Sequence, residues 1–386
     1  MHNYQPRGLV EAGEILSRAE KILVYYDPDV DGLIAGHFVV NLLKMYQKPY
    51  IYYINENRKH GMLLSDEQLK TLAGFTMIAV DFSIPEEVLK KMTGYGIDVV
   101  NIDHHSITGD VLQKGTNIET GRSYVAINNQ YSFEPEEWRF LSGAGMVYYV
   151  FNTLFPEWGA KEQNKALIGI TLLSDARVIE NQRAYELLKL TYNWRDEFSK
   201  YLIDIAKYGA GDYQFGVQRY LDRNFIDFTL CPRLNALFRL NLGDVAVKLF
   251  EREEADLRAL NNCLQLPADN KVVNLTYVVK KSKAVQTALT TRLKQVEYPN
   301  VLIGYLNIED IQDIISPEFD IGNFVGLTAG QLVDKRKKTM LLFLQGKEGV
   351  IRGSLRGKLD EVNYLSLCRS FGITCAGHTT AFGILK

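Results

Sequence analysis

Nowhere in the 386 residues does an apolar run approach the ~20 needed to cross a bilayer. The first residues, MHNYQPRGLVEAGE, lack the basic-then-apolar pattern of a secretion signal. These two absences predict a cytoplasmic protein with no membrane partner. Cysteine is scarce: Cys231, Cys263, Cys368 and Cys375 are widely spaced, and no CxxC pair occurs. That pattern suggests neither a zinc site nor a disulfide framework, and predicts buried free thiols. Excess charge is lacking too. The formal net charge is −2, which by itself selects no class of partner. No internal repeat and no low-complexity tract is visible.

What is present is a globular balance, 46% hydrophobic and 23% charged, over a length that suits two or three domains. The charges are unevenly placed. Residues 271–386 hold 16 Lys+Arg against 10 Asp+Glu, whereas residues 1–270 hold 28 against 36. An acidic metal centre facing a basic substrate clamp has this signature, and so does a chance imbalance on solvated surfaces.

KILVYY (21–26) reads as a buried strand and is followed by DPDVDG and an apolar stretch at helical spacing. FTMIAVDFS (75–83) is a strand then a loop, and IDVVNIDHHS (97–106) a strand ending in polar residues. LSGAGMVYYVFNTLF (141–155) and QNKALIGITLLSD (163–175) are apolar helices. Strands alternating with helices predict an α/β fold with a parallel sheet. The division expected is a catalytic domain over 1–190, a helical connector over 191–268, and a smaller α/β C-terminal domain over 269–386. In the last, residues 271–279, 299–306, 339–345 and 348–354 read as strands and 324–338 as a helix. KRKK (335–338) suits a nucleic-acid contact or a helix end favoured by the macrodipole.

In open parallel sheets, ligands bind beyond the carboxyl ends of the strands. The polar clusters fall there. Asp27, Asp29 and Asp31 follow the first strand, Asp81 the second, Asp103, His104 and His105 the third, and Asp175 ends a helix. Three carboxylates as close as those of DPDVDG repel one another unless cations neutralise them. Gly32 lets the backbone turn sharply after them. An isolated DxDxDG is equally a solvated turn or a calcium loop, but an EF-hand is excluded because a strand precedes it. Oxygen ligands with one imidazole suit two Mn²⁺ or Mg²⁺ ions, a pairing that hydrolyses phosphoesters.

The order DPDVDG, VDFS, DHH, SDAR resembles the four motifs of the DHH phosphoesterase superfamily, and its RecJ single-strand exonucleases most. This resemblance implies an N-terminal parallel-sheet DHH domain in which Asp29 and Asp31 bind different metals and Asp81 bridges them. His104 and Asp175 complete the second site, and His105, with Asp103 and Asp81 in the catalytic set, meets the scissile phosphate. Many members carry a histidine two residues before the aspartate motif. That residue is Tyr25 here, and Asp27 is the natural replacement ligand. PRLNALFRLNLGD (232–244), RGSLRG (352–357) and CAGHTTAFG (375–383) are similar to further segments of the family, including its DHH-associated C-terminal domain. They suggest Arg233, Asn235, Arg239, Arg352, Ser354, Arg356, Gly377 and His378 as substrate-binding residues. The first glycine of the family's GGH is Ala376 here.

The activity implied is 5′→3′ hydrolysis of single-stranded DNA to mononucleotides. An oligoribonuclease or cyclic-dinucleotide phosphodiesterase is the alternative, and an inactive nucleic-acid-binding scaffold a third. By the resemblance, no room remains after Lys386 for the additional nucleic-acid-binding barrel of many RecJ proteins, so a single-strand-binding protein is an expected partner.

Overall fold

The computed structural model describes residues 4–107, 109–175, 181–208, 220–251, 264–265, 272–273, 275–315, 319–345, 351–358, 362–378 and 380–385. The chain forms two compact units, Met1–Phe238 with Gly243–Asn261, and Arg239–Leu242 with Asn262–Lys386.

The first unit is built on strands β1 (Ile22–Tyr26), β2 (Tyr50–Ile54), β3 (Thr76–Val80), β4 (Asp98–Asp103), β5 (Lys114–Thr116) and β6 (Ser123–Asn128). Every residue of β1, β3 and β4 is buried. Such continuous runs need cover on both faces, which parallel sheets with crossover helices provide. The order is β2-β1-β3-β4-β6-β5, all parallel except the edge strand β5. β1, β3 and β4 are therefore neighbours, and their carboxyl ends lie side by side. The helix Val30–Met45 is buried on nearly every side and packs against Gly143–Leu154 and Glu162–Ser174. A helix apolar all round belongs inside the fold. Its one buried imidazole, His37, meets Glu251 at 2.6 Å, and Lys44 reaches the same carboxylate at 2.9 Å. The segment read as a connector is helical over Glu197–Tyr208, Cys231–Arg239 and Gly243–Glu251.

The second unit contains β7 (Leu264–Gln265) with β8 (Val272–Val273), and a six-stranded sheet of β9 (Lys294–Glu297), β10 (Val301–Asn307), β11 (Thr339–Gln345), β12 (Ile351–Arg356), β13 (Thr374–His378) and β14 (Ala381–Leu385). Its order is β13-β14-β12-β11-β10-β9, parallel only between β10 and β11. The helix Val325–Arg336 joins that parallel pair and packs on β11 and β12. In the basic cluster, Lys338 pairs with Glu297 at 2.7 Å and so braces an edge strand.

One strand expectation fails. Among the described residues of 271–279, Val272–Val273 form the two-residue β8, after which the helix Leu275–Arg292 begins. Val278, Ser282, Val285 and Leu289 are buried on one face of it. That spacing of four, three and four outweighs the β-branched character of the segment. Of the cysteines, Cys231, Cys368 and Cys375 are buried and free, as expected; Cys263 lies outside the described residues. Among the described residues no helix is long and apolar enough to cross a membrane.

At the opposite end of β4 from its DHH residues, Asp98 fastens the sheet. Its carboxylate takes Arg18 Nη2 at 2.6 Å, Arg122 Nη1 at 2.7 Å and the Ser123 amide at 2.7 Å. Burial opposes ionisation, but these donors hold Asp98 below its ordinary value. Asp98→Asn is expected to cost about 2–3 kcal/mol, since charged hydrogen bonds contribute about 1.5–3 each and the arginines recover some water. Because the folded-state value is depressed, this contribution exists above ~pH 4 and disappears as pH falls through the folded value. Thermal unfolding of both proteins checks it: their difference should shrink on acidification, and one that grows would contradict the assignment.

Candidate metal centre

Each side chain of the centre is delivered by a different local device. Asp27 follows β1 directly. Asp29 caps the next helix, its Oδ1 accepting from the amides of Asp31 at 2.9 Å and Gly32 at 3.1 Å. Such caps are short acidic or hydroxyl residues because they satisfy otherwise unpaired amides. A Cβ on Gly32 would stand 2.3 Å from the Asp27 carbonyl, so only glycine allows this turn. Asp31 sits in that helix's first turn, and its carboxylate receives the amides of Gly143 at 2.6 Å and Ala144 at 3.0 Å. The start of Gly143–Leu154 thus serves as an anion site, favoured by its free amides and dipole.

Asp81 follows β3 with φ 69°, a left-handed conformation costly for a non-glycine residue by about 1–3 kcal/mol. Asn101 stabilises the bend, donating to Phe82 O at 2.8 Å and accepting from the Ile84 amide at 3.1 Å. A Cβ at Gly143 would fall 2.2 Å from Asp81 Oδ1. The GAG of 143–145 is therefore a space requirement: it lets one helix end meet both Asp31 and Asp81.

His104 follows β4. Its Nε2 lies 3.0 Å from Asp81 Oδ1, 3.5 Å from Asp175 Oδ2 and 3.6 Å from Asp31 Oδ2. One ring nitrogen cannot donate to three carboxylates, whereas a cation among them satisfies all four atoms. The Oδ1 atoms of Asp27 and Asp81 are buried and make no hydrogen bond. Burial, then Asp175 and Asp29, push Asp31 up to about 8, and burial with the neighbouring carboxylates raises Asp81 and Asp27 as well. These are the marks of a carboxylate cluster built to be neutralised. Three sets of ligand atoms lie within 4.8 Å of one another: Asp31, His104 and Asp175; Asp81, His104 and His105; Asp27, Asp29 and His60. Oxygens with imidazole nitrogens fit Mn²⁺ or Mg²⁺.

His105 belongs to the second of these sets and is held by a further carboxylate. Its Nδ1 meets Asp103 Oδ1 at 2.8 Å, and Asp103 also receives Ser83 Oγ and, at 3.1 Å, Asn128 Nδ2. Burial works against a charged ring, but Asp103 dominates and carries His105 up to about 9. It is thus a charged, partly exposed imidazole beside the cluster. A cavity of about 130 Å³, lined by Ser83, Asn101, Ser106, Asn128 and Tyr131 among others, lies against Asp103.

The eight residues singled out for metal binding and catalysis thus share one crevice. Two others nearby escaped the sequence reading. His60, in the loop after β2, hydrogen-bonds Asp27 through Nδ1. Arg58, with φ 49°, helps lower Asp29 by its charge. Their only signal was a lone histidine and arginine in a glycine-containing loop after a strand that was not itself read.

The remaining expected residues belong to other elements. Arg233 is buried on the helix Cys231–Arg239, donating to Thr229 O at 2.8 Å; Asn235 is half-buried on the same helix, and Arg239, buried, ends it. Arg352, Ser354 and Arg356 alternate along β12 and so share one face. Arg352 pairs with Asp320, and Arg356 Nη1 meets Ser354 Oγ at 2.8 Å. A Cβ on Gly326 would approach Arg356 Nη2 to 2.7 Å, so the start of Val325–Arg336 lies against this face. Gly377 and His378 belong to β13, but their side-chain positions lie outside the described residues.

Residues 21–174 match the DHH family, N-terminal domain. The single-stranded-DNA-specific exonuclease RecJ of Bacillus subtilis (strain 168) is 24% identical over 403 residues, covering 99% of this chain and 46% of its own length. The chain spans about half the length of the curated relatives it matches. Among solved structures, RecJ in complex with Mn²⁺ from Thermus thermophilus has a TM-score of 0.70 at 19% identity, covering 100% of this chain and 53% of that one. An exonuclease RecJ bound to manganese has a TM-score of 0.68 at 17% identity, covering 100% and 91%. These likenesses are of fold.

The centre predicts a linkage between pH, metal and stability. Free Asp31 binds its proton more tightly folded than unfolded, where the ordinary value is about 3.9. Its contribution is thus full below about pH 4 and is lost as pH rises towards its folded value of about 8. The metal-free protein should lose thermal stability between about pH 5 and 8, and saturating Mn²⁺ should remove that loss. A melting temperature indifferent to both would contradict the cluster's role. Gly143→Ala, which crowds Asp81, should abolish the Mn²⁺ effect.

Proposed function

We propose, from the match of residues 21–174 to the DHH family's N-terminal domain, that this protein is a two-metal phosphodiesterase acting on single-stranded nucleic acid. We assign DNA as the substrate, degraded from a 5′ end to mononucleotides. The observation that carries the chemistry is His104 Nε2 lying within 3.6 Å of carboxylate oxygens from Asp31, Asp81 and Asp175. Asp27 and Asp29 adjoin that set in the same crevice. Bound there, two divalent ions would supply Lewis acidity and a nucleophile at neutral pH. Asp27 and Asp29 would hold one ion, Asp31, His104 and Asp175 the other, with Asp81 shared between them.

The chain's own groups do the rest. His105, kept protonated by Asp103, faces the centre as an acid for the leaving oxygen or a donor to the phosphate. Asp103 fixes the ring through Nδ1, which leaves Nε2 to act. Asp31 and Asp29 are locked by backbone amides, so the carboxylates are set before substrate arrives. The polymeric, single-stranded substrate is supported by the name of the Bacillus relative and by the excess of basic residues in 271–386. In this reading residues 1–190 cut and residues 269–386 hold the strand, with Arg352, Ser354, Arg356, Gly377 and His378 on the sugar-phosphate backbone and Arg233, Asn235 and Arg239 contributing further contacts. A single-strand-binding protein would supply further grip.

Purified protein with Mn²⁺ should shorten 5′- and 3′-labelled single-stranded DNA to mononucleotides, faster than RNA or dinucleotides. A dinucleotide cleaved best would replace this reading with a small-substrate phosphodiesterase. Asp81→Ala should abolish turnover while binding survives; a loss under about tenfold, ~1.4 kcal/mol, would refute its shared role. Arg352→Ala and Arg356→Ala should each lower the log–log salt dependence of binding by ~0.7. Cleavage of a small activated phosphodiester should stay near the wild-type rate. If it falls in step with DNA cleavage, the arginines belong to the reacting centre.

A further inference from the structure

We propose that His60 is an imidazole ligand of the first metal site, with Asp27 and Asp29, and that Tyr25 and Asn55 position the loop that delivers it. The inference deepens the two-metal reading above and rests on it.

Three observations meet at this point. The ligand atoms of Asp27, Asp29 and His60 lie within 4.8 Å of one another. Asp27 is 1% exposed, yet its Oδ1 makes no hydrogen bond, while its Oδ2 is met by His60 Nδ1. Asp27, Asp29 and the shared Asp81 alone leave that site open to solvent; a further donor from the solvent side closes it, and the His60 side chain is 51% exposed. The third observation is the loop's anchorage. Tyr25, the last residue but one of β1, is fully buried and donates to Asn55 Oδ1 while accepting from the Leu63 amide at 3.2 Å. Asn55 in turn donates to Lys59 O at 2.8 Å and Gly61 O at 2.7 Å. His60 thus lies between two carbonyls held by one amide, and the amide is held by a phenol two residues before Asp27. The strand that supplies the carboxylate also orients the loop that supplies the imidazole. A ligand set of carboxylates with one imidazole is softer than carboxylates alone, so this site should prefer Mn²⁺ to Mg²⁺.

The test needs no substrate. Mn²⁺ binding to the whole protein is followed by titration calorimetry, and directly bound nitrogen by pulsed electron paramagnetic resonance. Wild type should take two ions and show imidazole nitrogen at both. His60→Gln should keep one site unchanged, weaken the other for Mn²⁺ at least tenfold and for Mg²⁺ less, and lose one nitrogen coupling. Tyr25→Phe should weaken the same site by a smaller factor and keep the nitrogen. Two undiminished sites with an unchanged nitrogen signal in His60→Gln would overturn the proposal. So would equal losses for both metals with the nitrogen retained, which would make His60 only a support for Asp27. His60-dependent binding in a protein that cleaves no phosphodiester would uphold this inference and refute the phosphodiesterase reading. A wild type that binds no Mn²⁺ would overturn both.

Discussion

The approach of the Gly143–Ala144 amides to Asp31, with Gly143 pressed against Asp81, is the contact on which the centre depends. Carboxylates a few ångströms apart in a protein interior repel by several kcal/mol. Something must hold them together before any cation arrives. Here it is backbone: two amides at a helix start grip Asp31, two at another grip Asp29, and Asn101 fixes the bend that forces Asp81 into a left-handed conformation. Backbone donors do not titrate and cost little entropy to place. The repulsion is therefore stored in the fold rather than relieved by side-chain movement, which makes the crevice receptive to cations.

The two histidines that follow β4 are put to opposite uses by their neighbours. His104 is buried among Asp31, Asp81 and Asp175, where a proton on Nε2 would serve one carboxylate and leave the others in conflict. His105 is held through Nδ1 by Asp103, which also receives Ser83 and Asn128, and it keeps its proton above neutrality. The rings lie side by side, with centroids 4.6 Å apart, and their different carboxylate neighbours distinguish them. The second unit follows another logic: its arginines alternate along β12, with Arg352 engaged by Asp320 and Arg356 by Ser354.

The failures of the sequence reading have physical causes as definite as its successes. β2 and β6 were not among the expected strands although YIYYI and SYVAIN are strand-like; β2 is an edge strand, buried on neither face throughout. With β2 went its loop, and with the loop His60 and Arg58. The stretch 271–279 reads as a strand by residue type but leads into a helix, because the buried face of Val278, Ser282, Val285 and Leu289 continues well beyond the window that suggested β structure. Local preference is weak against burial along a longer period.

What the sequence by itself determined was the set of strand-end carboxylates and histidines and the parallel sheet that gathers them. Both follow from short-range rules: buried apolar runs make covered parallel strands, and polar residues just past them must lie at one edge. Only the tertiary structure decided which carboxylates lie within reach of one another, that Gly143 is there for space, and that an imidazole 33 residues along the chain from Asp27 meets that carboxylate. Those facts depend on distances across elements remote in sequence. No residue pattern encodes them until the sheet has set β1, β3 and β4 side by side.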